Sequence, residues 1–241
     1  MELKALIFDV DGTLADTERD GHRVAFNLAF ADAGLDWQWD VETYGRLLNV
    51  TGGKERIRYF LDEFISGFRM PEDLDGFIRG LHAAKTSHYL ALLRGGAVPL
   101  RRGVERLLRS ARAQGLRLAI ATTTTPANVT TLLNATLGEE SIAWFEVIAA
   151  GDIVPRKKPA PDIYHYVLEQ LGLPAEHCLA LEDSEHGLAA AVGAGLKTVI
   201  TVNDYTSGQD FSAAALVLDQ FGEPGDSVLV DVPMLQGLAR V

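Results

Sequence analysis

Leu3-Lys4-Ala5-Leu6-Ile7-Phe8-Asp9-Val10-Asp11-Gly12-Thr13 decides the fold. The run from Leu3 to Phe8 is short and apolar and reads as a parallel strand buried on both faces. Gly12-Thr13 is a turn signal that ends it. Asp9 and Asp11 therefore stand at the carboxyl end of a strand, the edge at which open α/β sheets bind ligands. Acids two positions apart share one face of a straight strand, and a turn beginning at Val10 can aim both into one pocket. Like charges that close are costly, and a shared proton, a cation or an electrophilic phosphoryl group makes them tolerable. Asp-Gly is also common in solvated turns, but Asp9 comes straight off a strong hydrophobic strand.

Outward from this motif the pattern turns helical. Val24, Leu28 and Ala31 form a stripe with Phe26 and Phe30 beside it, predicting a helix over about 17–33 closed by Gly34. Further helices are expected over about 40–49, 54–66 and 73–93, with no strand before Gly95-Gly96-Ala97-Val98-Pro99, which reads as a return linker. The expected organisation is a core of residues 1–16 and 97–241 interrupted by an all-helical insert, 17–96. Beyond Pro99, strands near 116–121, 145–149, 177–181 and 197–202 alternate with amphipathic helices, and 215–218 adds a last strand. Such alternation implies right-handed crossovers and an α/β, doubly wound parallel sheet.

The 241 residues suffice for a sizeable core, and their net charge of −11 without a basic tract argues against nucleic-acid binding. No apolar run approaches the roughly 20 residues of a membrane span, and nothing at the amino terminus reads as a targeting peptide. The expectation is a cytoplasmic monomer. The single Cys178 lies in an apolar run and reads as a buried thiol of a reducing compartment. An anionic substrate would meet a repulsive average field, so a phosphate site needs local cations.

In a parallel sheet the carboxyl ends of all strands face one crevice. Asp9 and Asp11, Thr122 with Thr123, Gly151-Asp152 and Glu182-Asp183 are expected there. Thr125 and Pro126 suit the N-cap and first position of a helix, so free N–H groups should open beside Thr122 as an anion site. Lys158 is followed by Pro159 and Pro161, whose stiff backbone suits a charge that must be aimed. Cys178-Leu-Ala-Leu-Glu182-Asp183 repeats the first motif: apolar strand, two acids, turn, helix. Hard oxygen ligands from two strand ends suit Mg²⁺ better than Zn²⁺. A carboxylate nucleophile, a second acid, Mg²⁺ and positive donors make the parts list of phosphoryl transfer through an aspartyl-phosphate. Asp9 would attack phosphorus, Asp11 would serve as acid and then base, and Thr122 and Lys158 would neutralise the phosphoryl oxygens.

Asp9-Val-Asp11-Gly-Thr13, the strand-ending Thr122, Lys158 in Lys-Pro-Ala-Pro and Glu182-Asp183, in this order, resemble the four motifs of haloacid dehalogenase-like phosphohydrolases. The match spans the chain, with the insert where that superfamily carries a four-helix cap on a Rossmann-like core. The resemblance implies Asp9 as nucleophile, Asp11 as acid/base, and Mg²⁺ held by Asp9, the Asp11 carbonyl and Asp183, with Glu182 a direct or water-bridged ligand. Thr17-Glu18 with His22, Tyr44, and Thr51-Gly52-Gly53-Lys54-Glu55-Arg56 further resemble the CbbY-like sugar-phosphate phosphatases. These act on xylulose 1,5-bisphosphate, a by-product of the Calvin-cycle enzyme Rubisco, and the implied product is xylulose 5-phosphate.

The insert motif has a reading of its own. Thr51 can cap a helix whose first residues, Gly52 and Gly53, leave backbone N–H groups bare to an anion, with Lys54 adding charge. Two anion sites suit a sugar bisphosphate, and Glu18 and His22, one helical turn apart, could hold its hydroxyls. Two other functions remain open: a sugar-phosphate mutase of the β-phosphoglucomutase type, and a catalytically silent binding protein on the same fold.

Overall fold

The structure, a computed structural model, describes residues 2–50, 52–65 and 67–240. Six strands form one parallel sheet: β1 (Ala5–Phe8), β2 (Arg117–Thr122), β3 (Phe145–Ala150), β4 (Cys178–Glu182), β5 (Lys197–Thr201) and β6 (Leu216–Leu218). Their order is β3-β2-β1-β4-β5-β6, so the chain leaves β1 in both directions and β1 lies between β2 and β4. Ile7 is in register with Ala119 on one side and Ala180 on the other. All four residues of β1 are fully buried, which explains a run without polar alternation.

Side chains of successive strand residues point to opposite faces, and the two faces differ in size. Ala5, Ile7, Ala119, Ala121, Ala149 and Ala180 form one face, mostly small, on which α7 (Asp162–Leu171) and α8 (Glu185–Gly193) pack through Ile163, Tyr164, Val167, Ala190 and Ala191. The alternate positions Leu6, Phe8, Leu118, Ile120, Leu179 and Leu181 are large and buried. On that side α5 (Val104–Ala113) meets β2 and the last helix, α9 (Val232–Arg240), meets β4. The remaining core helix, α6 (Pro126–Leu137), lies between β2 and β3. Cys178 sits in the small-residue core, and burial pushes its thiol up to about 11.

The chain divides into two compact units, Met1–Asp16 with Pro99–Val241, and Thr17–Val98. The second contains a π-helical turn (Thr17–His22) followed by α1 (Arg23–Asp32), α2 (Val41–Leu47), α3 (Gly53–Glu63) and α4 (Leu74–Arg94), with no strand among its described residues. The buried face of α1 is not the expected stripe. Leu28 and Ala31 are exposed, and Ala25, Phe26, Ala29 and Phe30 are buried. The aromatic rings decide it: Phe26 and Phe30 pack on Trp39 with centroids 4.5 and 4.9 Å away, and Phe60 closes on Trp39 at 5.2 Å. Gly34, with φ of +70°, ends the helix as its sequence suggests.

Candidate active site

The ladder of β1 continues one residue past the strand, where Asp9 N–H donates to the Leu181 carbonyl at 2.9 Å. There the chain folds back: the Val10 carbonyl accepts from Thr13 and Leu14, and Gly12 N–H donates to the Ala15 carbonyl. Gly12 has φ of +85°, and a Cβ on it would meet an Asp183 oxygen at 2.0 Å, so only glycine fits. This tight loop fixes the buried Asp9 and leaves Asp11 half-buried beside it. Arg101 clamps the loop. Its guanidinium donates to the carbonyl of Gly12, and to those of Thr201 at 2.9 Å, Val202 at 2.5 Å and Asp219 at 2.8 Å.

Lys158 reaches the same place from the loop before α7, where its bond to Pro159 is cis. Its ammonium donates to Asp9 Oδ1 at 2.6 Å, to Glu182 Oε1 at 2.6 Å and to the Ala121 carbonyl at 2.8 Å, with its side chain only 7% exposed. Burial opposes that charge, but Asp9 and Glu182 outweigh it and raise the lysine above its ordinary value. Burial pushes Glu182 up to about 7 against the pull of Lys158. Asp183 is raised well above the usual carboxylate range by burial and then by Asp9 and Glu182, while Asn203 donates to its Oδ2 at 2.7 Å.

Asp9, Glu182 and Asp183 each offer a carboxylate oxygen, and these atoms lie within 4.8 Å of one another. Glu182 Oε2 is buried and has no hydrogen-bond partner among the described residues. A buried carboxylate oxygen left so is costly, and a cation would satisfy it. Three hard oxygens without a histidine or thiolate fit Mg²⁺.

Of the other strand-end residues, Thr122 is buried, its hydroxyl accepting from Thr124 N–H at 3.3 Å, and Thr123 is exposed. Thr125 caps α6 and Pro126 opens it. Asp152, by contrast, stands outside the carboxylate cluster: it pairs with Lys157 at 2.8 Å, and both are exposed. Gly151 sits at φ of +69° and turns the chain away directly after β3. Tyr164, Asn203 and Arg101 belong to the site without having been expected there. Asn203 lies two residues beyond the end of β5, and the strand-end rule that found Asp183 could have reached it. Tyr164 hides in a helical apolar pattern, and Arg101 has no local signal, since its partners lie about a hundred residues away.

In the helical unit Tyr44, buried, donates to Glu18 Oε2 at 2.5 Å and accepts from Arg56 at 2.8 Å. His22 is not on the face of an α-helix with Glu18. It ends the π-helical turn, stacks on Tyr89 at 3.8 Å and bonds through Nδ1 to the buried Lys85 at 2.8 Å. Burial, then the charges of Lys85 and Arg56, hold its imidazole well below the ordinary value. Gly52 is the N-cap of α3 and Gly53 its first residue; Thr51 lies outside the described residues. The glycines make room for side chains of this unit itself. A Cβ on Gly52 would meet the Glu55 carboxylate at 2.2 Å, and one on Gly53 the His82 ring at 2.7 Å. Lys54 is exposed.

A parallel sheet with two acids following β1, a lysine from a distant loop and two acids at the end of β4 defines a class, and the sequence matches the haloacid dehalogenase-like hydrolases over residues 3–195. The chain belongs to that family and is a hydrolase of the phosphatase type. Within it the chain is similar to the CbbY proteins: it is 52% identical over 233 residues to Protein CbbY of Rhodobacter capsulatus, covering 97% of this chain and 100% of that protein. The crystal structure of a variant of CbbY from Rhodobacter sphaeroides in complex with xylulose-(1,5)bisphosphate matches with a TM-score of 0.80 at 47% identity, covering 92% of this chain and 96% of that one. A β-phosphoglucomutase from Clostridium difficile shares the fold, with a TM-score of 0.72 at 21% identity over 99% of this chain and 97% of that one. Among the described residues no helix is long and apolar enough to cross a membrane.

Proposed function

We propose that this chain is a Mg²⁺-dependent phosphatase that hydrolyses a small sugar phosphate, xylulose 1,5-bisphosphate foremost, to xylulose 5-phosphate and inorganic phosphate. The observation that carries the reading is the buried Asp9 carboxylate, held by Lys158 within a cluster of acids at the carboxyl edge of the sheet. The complex of the Rhodobacter sphaeroides relative with that bisphosphate supports the choice of substrate.

In the first step an Asp9 carboxylate oxygen forms a bond to phosphorus as the bond from phosphorus to the sugar oxygen breaks, and protonated Asp11 gives its proton to the departing alkoxide. In the second, water attacks the aspartyl-phosphate at phosphorus, Asp11 takes the water's proton, and Asp9 returns to a carboxylate as phosphate leaves. Lys158 orients Asp9, and it faces the charge that builds on the phosphoryl oxygens together with Thr122, Thr123 and the N–H groups opening α6. Mg²⁺ held by Asp9, Asp183, the Asp11 carbonyl and Glu182 would supply further charge neutralisation there. Sugar selection is assigned to the helical unit, through Glu18, His22, Tyr44, Thr51, Gly52, Gly53 and Lys54.

The test is a panel of sugar mono- and bisphosphates, including xylulose and ribulose 1,5-bisphosphates, assayed with Mg²⁺ and with EDTA. Mg²⁺-dependent release of inorganic phosphate, highest with xylulose 1,5-bisphosphate, is expected. An isomerised phosphate ester without free phosphate would instead establish a mutase, and no turnover of any ester would establish a silent binding protein.

A further inference from the structure

Tyr164 is fully buried on the face of α7 that packs against the sheet, and its hydroxyl donates to Glu182 Oε1. The same oxygen accepts from Lys158 at 2.6 Å, and the Lys158 ammonium lies 5.3 Å from the centre of the Tyr164 ring. Gly187 lies against the same carboxylate: a Cβ there would fall 2.0 Å from Glu182 Oε2 and 2.6 Å from Oε1. The carboxylate is thus pinned through one oxygen by two donors and backed by bare glycine backbone. Its other oxygen, Oε2, is left buried without a hydrogen-bond partner among the described residues. A core helix could have filled this position with phenylalanine. A phenol there adds one donor, on the oxygen opposite the free one.

Resting on the phosphatase reading above, we propose that Tyr164 is a positioning residue for the metal: by holding Oε1 of Glu182 it presents Oε2 to the cation shared with Asp9 and Asp183. Groups that orient a metal's ligands without touching it typically set its affinity by 10- to 100-fold. Lys158 also binds Oε1, but it holds Asp9 as well. Of the three acids of the cluster, Glu182 is the one to which the Tyr164 hydroxyl donates.

The experiment compares wild type, Tyr164→Phe, Gly187→Ala and the control Tyr166→Phe, which alters a partly buried ring of the same helix. Thermal unfolding is followed across a Mg²⁺ titration without substrate, because a ligand of the folded state raises the unfolding temperature by mass action. Tyr164→Phe is expected to shift the Mg²⁺ midpoint about tenfold or more upward, Gly187→Ala to shift it the same way, and Tyr166→Phe to leave it alone. The Mg²⁺ concentration that gives half-maximal phosphate release by Tyr164→Phe should rise by the same factor. A Tyr164→Phe midpoint within about twofold of wild type overturns the proposal, whatever the variant loses in EDTA. Should Tyr164→Phe fail to fold, an unshifted Gly187→Ala midpoint overturns it equally. Wild type showing no Mg²⁺-dependent stabilisation would instead strike the phosphatase reading itself.

Discussion

The two units each bury a lysine, and the company differs. In the sheet unit Lys158 is clasped by the carboxylates of Asp9 and Glu182, with Asp183 alongside. In the helical unit Lys85 rests over the faces of Phe26 and Tyr89, 5.1 and 5.2 Å from their centres, and donates to the neutral imidazole of His22. The first cluster has three acids to one lysine, so a cation completes it. The second gathers Lys85, Arg56 and two histidines, His22 and His82, both lowered by burial and by Lys85, with Glu18 as counter-charge to Arg56. That balance suits an anion. In a chain of net charge −11 these opposite local fields fit the division of labour that the proposed function requires, with metal and chemistry assigned to one unit and recognition of a charged substrate to the other.

The sharpest break in that comparison is Asp9→Asn. It is expected to lower turnover by roughly four orders of magnitude or more, the scale of nucleophile removals, while circular dichroism stays native because Lys158 keeps Glu182. Replacing each lysine by methionine comes next. Lys158→Met leaves Asp9 and Glu182 face to face, and chemical denaturation in EDTA at neutral pH should show a loss of about 3–5 kcal/mol. Lys85→Met puts an apolar chain against aromatic walls, so stability should stay within about 1.5 kcal/mol. KM for a bisphosphate should rise at nearly constant kcat. Equal stability losses for the two variants would erase the distinction.

The smallest effect is in pH. The unfolded His22 takes up a proton below about 6.5 and the folded one, held lower, does not. The unfolded state therefore binds more protons as pH falls, and stability is lost on the acid side. His82 has the same sign. Between pH 7 and 5.5 wild type should lose more stability than His22→Phe, and identical slopes would contradict a neutral His22.

The sheet was legible because its strands are short apolar runs ending in carboxylates, glycines or threonines. That pattern has one physical reading, a buried parallel strand opening onto a crevice, and β1, β2 and β4 fall within a residue or two of the strands expected over 3–8, 116–121 and 177–181. Asp9, Glu182 and Asp183 were legible for the same reason, and Lys158 because Pro159 and Pro161 stiffen the loop that carries it. The stripe of α1 was misplaced because Val24, Leu28 and Ala31 also satisfy helical spacing, and only the aromatic partners Trp39 and Phe60 choose Phe26 and Phe30 instead. Asp152 satisfied the strand-end rule, yet a left-handed glycine turns it out to Lys157. Lys85 carries no local sign, since its partner His22 lies 63 residues earlier and burial of an ammonium depends on rings that converge only in the folded unit.

The central claim is that the Asp9 carboxylate itself receives the phosphoryl group. Acid quench of the enzyme turning over xylulose 1,5-bisphosphate with Mg²⁺, followed by peptide mapping by mass spectrometry, tests it most directly. The account expects one phosphoryl adduct, on the peptide carrying Asp9, absent from Asp9→Asn and from samples in EDTA. An adduct on another residue, or steady phosphate release with no adduct at Asp9 at any quench time, would contradict it.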